Sequence, residues 1–177
     1  GLATSLAWNI RGDSAFYLDG QVFTAATAVQ WLVDNDLLAS AEAIDSLPDA
    51  RGVMAAPGFA GYGAPLWKPH ATASISGLTL SHGKGEIARA MVDGIAAQVA
   101  DLLGAIAADG VAVKELRVDG GLTQSHTLMQ MQADLAQVSI EVYPHPDATA
   151  MGVANLAAMA TNSALNLGDF ASAWKPV

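Results

Sequence analysis

A helical spacing of apolar side chains over residues 84–108 constrains the fold of this chain more than any other feature. Eight apolar residues recur there at i, i+3, i+4 and i+7: Ala88, Met91, Val92, Ile95, Val99, Leu102, Leu103 and Ile106. Arg89, Asp93 and Asp101 flank the apolar stripe. A stripe of this kind is buried against another element of the fold. The pattern therefore predicts a helix of about seven turns that packs into a core.

The segments after this helix alternate between strand and helix patterns. Residues 113–121 have a strand pattern that ends in two glycines, residues 123–137 a helix pattern, and residues 138–144 a second strand pattern. A last helix pattern follows Asp147, the expected N-cap, and ends near Asn162. Such alternation predicts an α/β fold with helices packed on a sheet.

The first half of the chain begins with an expected β-hairpin. Strand patterns over residues 2–10 and 15–23 flank the polar turn RGDS. Helical spacing then starts after Thr24, the expected N-cap, and ends at residues 34–36. Because the hairpin is antiparallel and the later strands follow helices, we expect a mixed sheet.

A glycine- and proline-rich stretch separates the two halves. Residues 36–51 are predicted to form a short helix and a polar connection. Residues 52–80 contain Pro57, Pro65 and Pro69 among several glycines, which predicts an ordered loop between short strands. A loop of this length is usually functional or part of an interface, although a capped surface loop fits the residues as well.

Composition excludes several classes of protein. There are 17 acidic and 8 basic side chains and a net charge of −9, which argues against binding nucleic acid or an anionic membrane. The chain has no cysteine, which excludes a disulfide scaffold, a zinc ribbon and a thiol nucleophile. No stretch approaches about 20 uninterrupted apolar residues, so no membrane span is expected. The four histidines lack the spacing of metal ligands, and no metal site is predicted.

The sharpest candidate site is the turn Asp119-Gly120-Gly121 between a strand and a helix. Glycine allows positive φ and close approach of the backbone to a ligand, and a helix N-terminus offers free N–H groups. These features suit a nucleotide, but a plain strand-to-helix turn explains the same residues. The motif is neither GxGxxG nor a Walker A sequence, so neither a Rossmann fold nor a P-loop is predicted.

Five segments, in order, resemble the C-terminal domain of the FGGY carbohydrate kinases, and within that family most closely the glycerol kinases. They are YLDGQVFTAATAVQWL (17–32), PGFAGYGAPLWKP (57–69), residues 87–101, LRVDGGLTQSHTLMQMQ (116–132) and TAMGVANLA (149–157). The resemblance implies one half of an actin-like (ribonuclease-H-like) ATPase fold, an α/β structure with a mixed sheet flanked by helices. Two such halves close on ATP and a polyol or sugar.

The resemblance also assigns nucleotide-binding positions. Gly121, in the turn with Gly120, matches the glycine that packs against adenosine. Ser125 stands where glycerol kinases usually have an asparagine that contacts adenine. Gln30 matches a glutamine near the phosphates and ribose, and Ala26 stands where glycerol kinases have glycine. The implied cofactors are ATP and Mg²⁺, and no catalytic residue or metal ligand is expected in this chain.

Further expectations concern the whole protein. Residues 1–177 are expected to be the C-terminal nucleotide-binding domain of a cytoplasmic kinase, without its first strands and without the N-terminal half that binds the substrate. The expected reaction is phosphorylation of glycerol to glycerol 3-phosphate. One alternative is another acceptor (xylulose, gluconate or erythritol), which Ser125 and the loop residues Lys68, His70 and Thr72 favour and the YLDGQVF…VQWL and GAPLW segments oppose. The other is a non-catalytic nucleotide-binding module. A homodimer or tetramer is possible, and the isolated piece is expected to be inactive.

Overall fold

The chain begins with a β-hairpin, as predicted. The computed structural model describes residues 1–144 and 147–171. Strand β1 (Ala3–Ile10) pairs antiparallel with β2 (Asp13–Asp19), with a bulge between Leu6 and Trp8. The turn residues Arg11 and Gly12 both have positive φ (55° and 89°), as a two-residue type I′ turn requires. Residues 21–23, predicted as strand, lie outside β2.

Helix α1 (Ala26–Asp34) follows the hairpin, but its N-terminus differs from the prediction. The N-cap is Ala25, which makes no side-chain capping bond. Thr24 is buried, and its hydroxyl donates to the carbonyl oxygen of Pro57 at 2.6 Å. The prediction of Thr24 as N-cap is therefore wrong, because a partner 33 residues away takes its hydroxyl. A 3₁₀ helix (Ala41–Ser46) comes next.

The glycine- and proline-rich stretch is an ordered loop between two short strands, as predicted. Strands β3 (Met54–Ala56) and β4 (Ser74–Ser76) pair antiparallel. Within the loop, the backbones of Tyr62 and Lys68 exchange two hydrogen bonds of 3.0 Å. The ring of Phe59 lies 4.8 Å from that of Trp31, between centroids. The loop is thereby fixed against α1.

Helix α2 (Lys84–Ala108) has the predicted bounds and carries the core. The core lies between α1, the 3₁₀ helix, the first half of α2 and α3; its buried members are Ala28, Val29, Leu32, Leu38, Ile44, Ala88, Met91, Val92, Ile95, Ala96 and Leu128. By length and composition alone α2 is also apolar enough to cross a membrane. The core helix of a soluble protein has the same length and composition, and the buried residues of α2 lie in its first half.

The second half has the predicted alternation of strands and helices. Strand β5 (Glu115–Val118) pairs in parallel with β6 (Ser139–Val142), and α3 (His126–Ala136) connects them. Helix α4 (Ala148–Thr161) has Asp147 as its N-cap residue, as expected, and α5 (Leu167–Ala171) follows. A 3₁₀ turn (Gly121–Gln124) precedes α3, where the sequence predicted a continuous helix from residue 123.

Helices and strands combine in an α/β fold, as expected, but the described strands do not join into the single mixed sheet that the sequence predicted. The strands of the described residues form three two-stranded ladders, two antiparallel and one parallel. The core lies around α2 instead of between a continuous sheet and its helices.

Candidate functional site

A groove lies between α1, the 3₁₀ helix and the turn that follows β5. It consists of two adjoining cavities of about 780 Å³ and about 350 Å³. The larger is lined by the α1 face and the glycine turn, including Ala26, Gln30, Asp119, Gly120 and Gly121. The smaller continues past Gly121 to Ser125, Glu42 and Asp45. All five residues predicted to contact a nucleotide therefore line this groove.

The glycine turn has the backbone geometry that the sequence predicts. Gly120 has φ of +100°, which favours glycine over other residues. A Cβ added at Gly120 or Gly121 would meet no atom within 4 Å, so the backbone borders open space. The Thr123 hydroxyl donates to the carbonyl oxygen of Gly120 at 2.7 Å and holds the turn closed. The turn thus presents bare backbone to the groove.

The N-terminus of α3 does not offer free N–H groups, contrary to the expectation from the sequence. Oδ1 of Asp45 accepts from the backbone N–H of Thr127 at 2.8 Å, and Oδ2 accepts from that of His126 at 3.2 Å. Ser125 is the N-cap, and its Oγ accepts from the backbone N–H of Leu128 at 3.2 Å. Because Asp45 and Ser125 occupy these donors, the helix end is capped by the protein itself.

The two predicted residues of α1 lie on its exposed side. Ala26 and Gln30 are one turn apart and both line the larger cavity. Nε2 of Gln30 donates to Oδ1 of Asp34 at 2.8 Å, which leaves its carbonyl oxygen to face other partners. Opposite the glycine turn, α1 thus contributes a small side chain and an amide.

The groove is acidic. Glu42, Asp45 and Asp119 line it, and its lining residues include no lysine or arginine. Partial burial acts to raise the pKa of Asp45, but hydrogen bonds from the backbone of Thr127 and the hydroxyl of Ser125 lower it to about 2. The Ser40 hydroxyl lowers the pKa of Glu42. The charges of a bound polyphosphate would therefore need a cation.

Sequence reasoning missed Asp45, which links the 3₁₀ helix to the start of α3 at the groove. Its carboxylate accepts from the Ser125 hydroxyl at 2.7 Å, across 80 residues of chain. No local motif marks such a pair. The only signal in the sequence was the presence of this acidic residue in the connection after α1.

Metal-binding side chains do not cluster in the part of the chain that the structure describes: it holds no group of three or more histidines and acids placed to bind an ion. His145 lies outside the described residues.

Comparison with known families identifies the domain. The sequence matches the profile of the FGGY family of carbohydrate kinases, C-terminal domain, over residues 2–161. The chain belongs to this family. The resemblance seen in the five segments is thus confirmed, and so is the actin-like class of α/β fold.

Named relatives of this FGGY domain are glycerol kinases. It is 45% identical to the glycerol kinase of Halorhodospira halophila over 90% of this chain and 33% of that protein. It is 38% identical to the glycerol kinase of Thermus brockianus over 99% of this chain and 36% of that protein. The chain therefore spans about a third of the length of the curated relatives that it matches.

Solved structures agree with the assignment of the FGGY domain. The crystal structure of Plasmodium falciparum glycerol kinase with ADP matches 97% of this chain and 36% of that chain, with a TM-score of 0.84 and 31% identity. The xylulose kinase of Lactobacillus acidophilus matches 94% of this chain and 35% of that chain with a TM-score of 0.74 and 22% identity, which shows the shared fold.

Proposed function

We propose that this domain is the nucleotide-binding C-terminal part of a kinase that transfers the γ-phosphoryl group of ATP to a hydroxyl of glycerol. One observation carries the proposal: the groove between α1 and the glycine turn is lined by all five positions that the glycerol kinase resemblance assigns to the nucleotide. The similarity to a glycerol kinase crystallised with ADP supports it.

The geometry of the groove suits the adenosine side of the nucleotide. Gly120 and Gly121 allow the base and ribose to lie against the backbone, and Ser125 borders the inner cavity. Ala26 and Gln30 line the opposite wall, towards the phosphates. The acidic lining fits a nucleotide bound with Mg²⁺, because that ion neutralises phosphates which the groove itself would repel.

The chemistry would be completed by a segment outside this chain. The bond between the γ-phosphorus and the oxygen that leaves with ADP breaks, and a new bond forms to the acceptor oxygen. The proton of the acceptor hydroxyl passes to a carboxylate. We place that carboxylate, the glycerol contacts and the first strands of the fold in an N-terminal half, consistent with relatives about three times as long.

The surface of the domain supports this division of labour. Large apolar side chains on the hairpin are exposed, among them Leu6, Trp8, Phe16 and Tyr17. Exposed apolar patches of this kind mark interaction sites. We propose that the rest of the kinase covers the hairpin. We also propose that the loop at residues 57–69 is the candidate contact of a dimer or tetramer, and that the enzyme works in the cytoplasm.

The test is an assay of ADP release by the intact polypeptide with glycerol, xylulose, gluconate and erythritol as acceptors. We expect glycerol to give the highest kcat/KM. A higher value with another acceptor would make this a different FGGY kinase, and nucleotide binding without turnover would make it a non-catalytic module. The 177-residue chain alone should bind nucleotide at best weakly and release no ADP in response to glycerol, since we place the acceptor site in the N-terminal half. Glycerol-dependent turnover by that chain would refute the division into two halves.

A further inference from the structure

The hydroxyl group of Ser125 both donates and accepts a hydrogen bond within the protein. Oγ donates to Oδ1 of Asp45 at 2.7 Å and accepts from the backbone N–H of Leu128 at 3.2 Å. A serine hydroxyl has one proton and two lone pairs. Its proton is therefore directed at Asp45, and one lone pair is left for another partner.

Asp45 can fix the direction of the Ser125 hydroxyl because the start of α3 fixes the Asp45 carboxylate. Its carboxylate accepts from the backbone N–H groups of His126 and Thr127 as well as from Ser125. With a pKa of about 2 the carboxylate is ionised at neutral pH and only accepts hydrogen bonds. Turning the Ser125 proton towards the groove would set the hydroxyl oxygen and the carboxylate, two acceptors, against each other.

The carboxylate and hydroxyl side chains that line the smaller cavity consequently present acceptors to it. Glu42, Asp45 and Ser125 line it beside Gly121. Gln124 also lines it, but an amide carries both a donor and an acceptor and can adapt to either kind of base. Adenine has an amino group at position 6, where hypoxanthine has a carbonyl oxygen. A wall of acceptors hydrogen-bonds the amino group and leaves the carbonyl oxygen unpaired.

We propose that Asp45 fixes the direction of the Ser125 hydroxyl, so that this wall selects a 6-aminopurine nucleotide over a 6-oxopurine nucleotide. The inference rests on the proposed function, because it concerns the base of the nucleotide in the groove. Asp45 is a positioning residue: it acts on the base through Ser125.

The test uses the intact polypeptide and the ratio of kcat/KM for ATP to kcat/KM for ITP. Ser125→Ala removes the remaining lone pair, so the ratio should fall by about fivefold, the factor given by one neutral hydrogen bond. The ratio should fall because kcat/KM for ATP decreases. Ser125→Thr keeps the hydroxyl and should keep the ratio within about twofold.

Asp45→Ala tests positioning apart from capping, because a lost helix cap affects both terms of the ratio alike. The substitution removes the carboxylate that accepts the Ser125 proton, which frees the hydroxyl to point into the groove and donate to a 6-oxo group. The ratio should again fall by about fivefold, in this variant because kcat/KM for ITP rises relative to that for ATP. Asp134→Asn is the matched control. Asp134 lies on α3, the helix that Ser125 caps, and accepts a hydrogen bond from Gln130, but it does not line the groove. The ratio of this variant should therefore equal that of the wild type.

Each outcome has a definite meaning. An equal loss for ATP and ITP in both Ser125→Ala and Asp45→Ala would show that Asp45 only caps α3 and would overturn the inference. Should circular dichroism show that these variants do not fold, the wild type and Ser125→Thr decide: equal use of ATP and ITP by both also overturns it. Failure of the wild type to bind any nucleotide would overturn the proposed function, and this inference with it.

Discussion

The region around α1 and the first half of α2 is packed differently from the hairpin and α4. In the first region Leu32, Ile95 and Leu128 are almost completely buried, and the 3₁₀ helix and α3 close over them. In the second, Phe16 is 69% exposed and Val153 on α4 is 63% exposed. One polypeptide thus contains a complete core and, beside it, apolar surfaces that lack a cover.

This difference in packing separates the elements that form the groove from those that do not. The groove is built entirely from elements that belong to the complete core: α1, the 3₁₀ helix and the turn leading into α3. The hairpin lies apart from that core, and its turn is tied to the end of α4 and the segment after it: the Arg11 guanidinium donates to the carbonyl oxygens of Met159 and Leu165 at 3.0 and 3.1 Å. The domain is therefore preformed where we place the nucleotide and open where we place the rest of the kinase.

A first prediction compares one large apolar side chain from each region. Leu32→Ala removes a fully buried side chain and should lower the free energy of unfolding by about 2–5 kcal/mol. Phe16→Ala, on the exposed face of the hairpin, should change it by less than about 0.5 kcal/mol. Urea unfolding of the 177-residue chain measures both. A similar loss in both variants would show that the hairpin is packed into the core in solution.

A second prediction compares two glycines of α2, one in the half that carries the core and one in the exposed second half. An added Cβ at Gly94 would collide with the carbonyl oxygen of Ala55 in β3, whereas at Gly104 it would meet nothing within 4 Å. Gly94→Ala should therefore destabilise the fold by about 1–3 kcal/mol, since backbone must move. Gly104→Ala should stabilise it by about 0.5–1 kcal/mol, because alanine is the better helix former. Thermal unfolding gives the sign of each; stabilisation by both would mean that β3 does not lie against α2.

Local patterns predicted the elements whose interactions are local. The bounds of α2 follow from an apolar period sustained over 25 residues, and the hairpin turn follows from Gly12 in the polar segment between two strand patterns. The nucleotide positions at Gly120, Gly121, Gln30 and Ala26 came from family resemblance. The structure brings them to one groove, and their contacts with a nucleotide stay a prediction.

The errors arose where a side chain has a distant partner. Thr24 has the residue type of an N-cap, but its hydroxyl bonds to Pro57. Likewise, the start of α3 has the sequence of an open anion-binding helix end, but Asp45 fills it from 80 residues away. A capping residue and a carboxylate that meet only in the folded chain leave no periodic signal, so neither could be predicted from spacing.

The last prediction concerns Asp45, which links the 3₁₀ helix to the start of α3. Its effect on stability should depend on pH over a defined range. The pKa of Asp45 is lowered from 3.8 to about 2 in the folded chain, so the folded state favours the carboxylate. Its contribution to stability is present above about pH 4 and is lost as the pH falls towards 2. Asp45→Ala should cost about 1–2 kcal/mol at pH 7, as for a lost helix cap, and the difference from wild type should shrink over that range. Asp134→Asn, which replaces an exposed acid on α3, should cost less than about 0.5 kcal/mol. Urea unfolding at several pH values measures both. A deficit in Asp45→Ala that stays constant down to about pH 2 would mean that the carboxylate does not bind the end of α3, and the 3₁₀ helix and the start of α3 would then be joined by the apolar core alone.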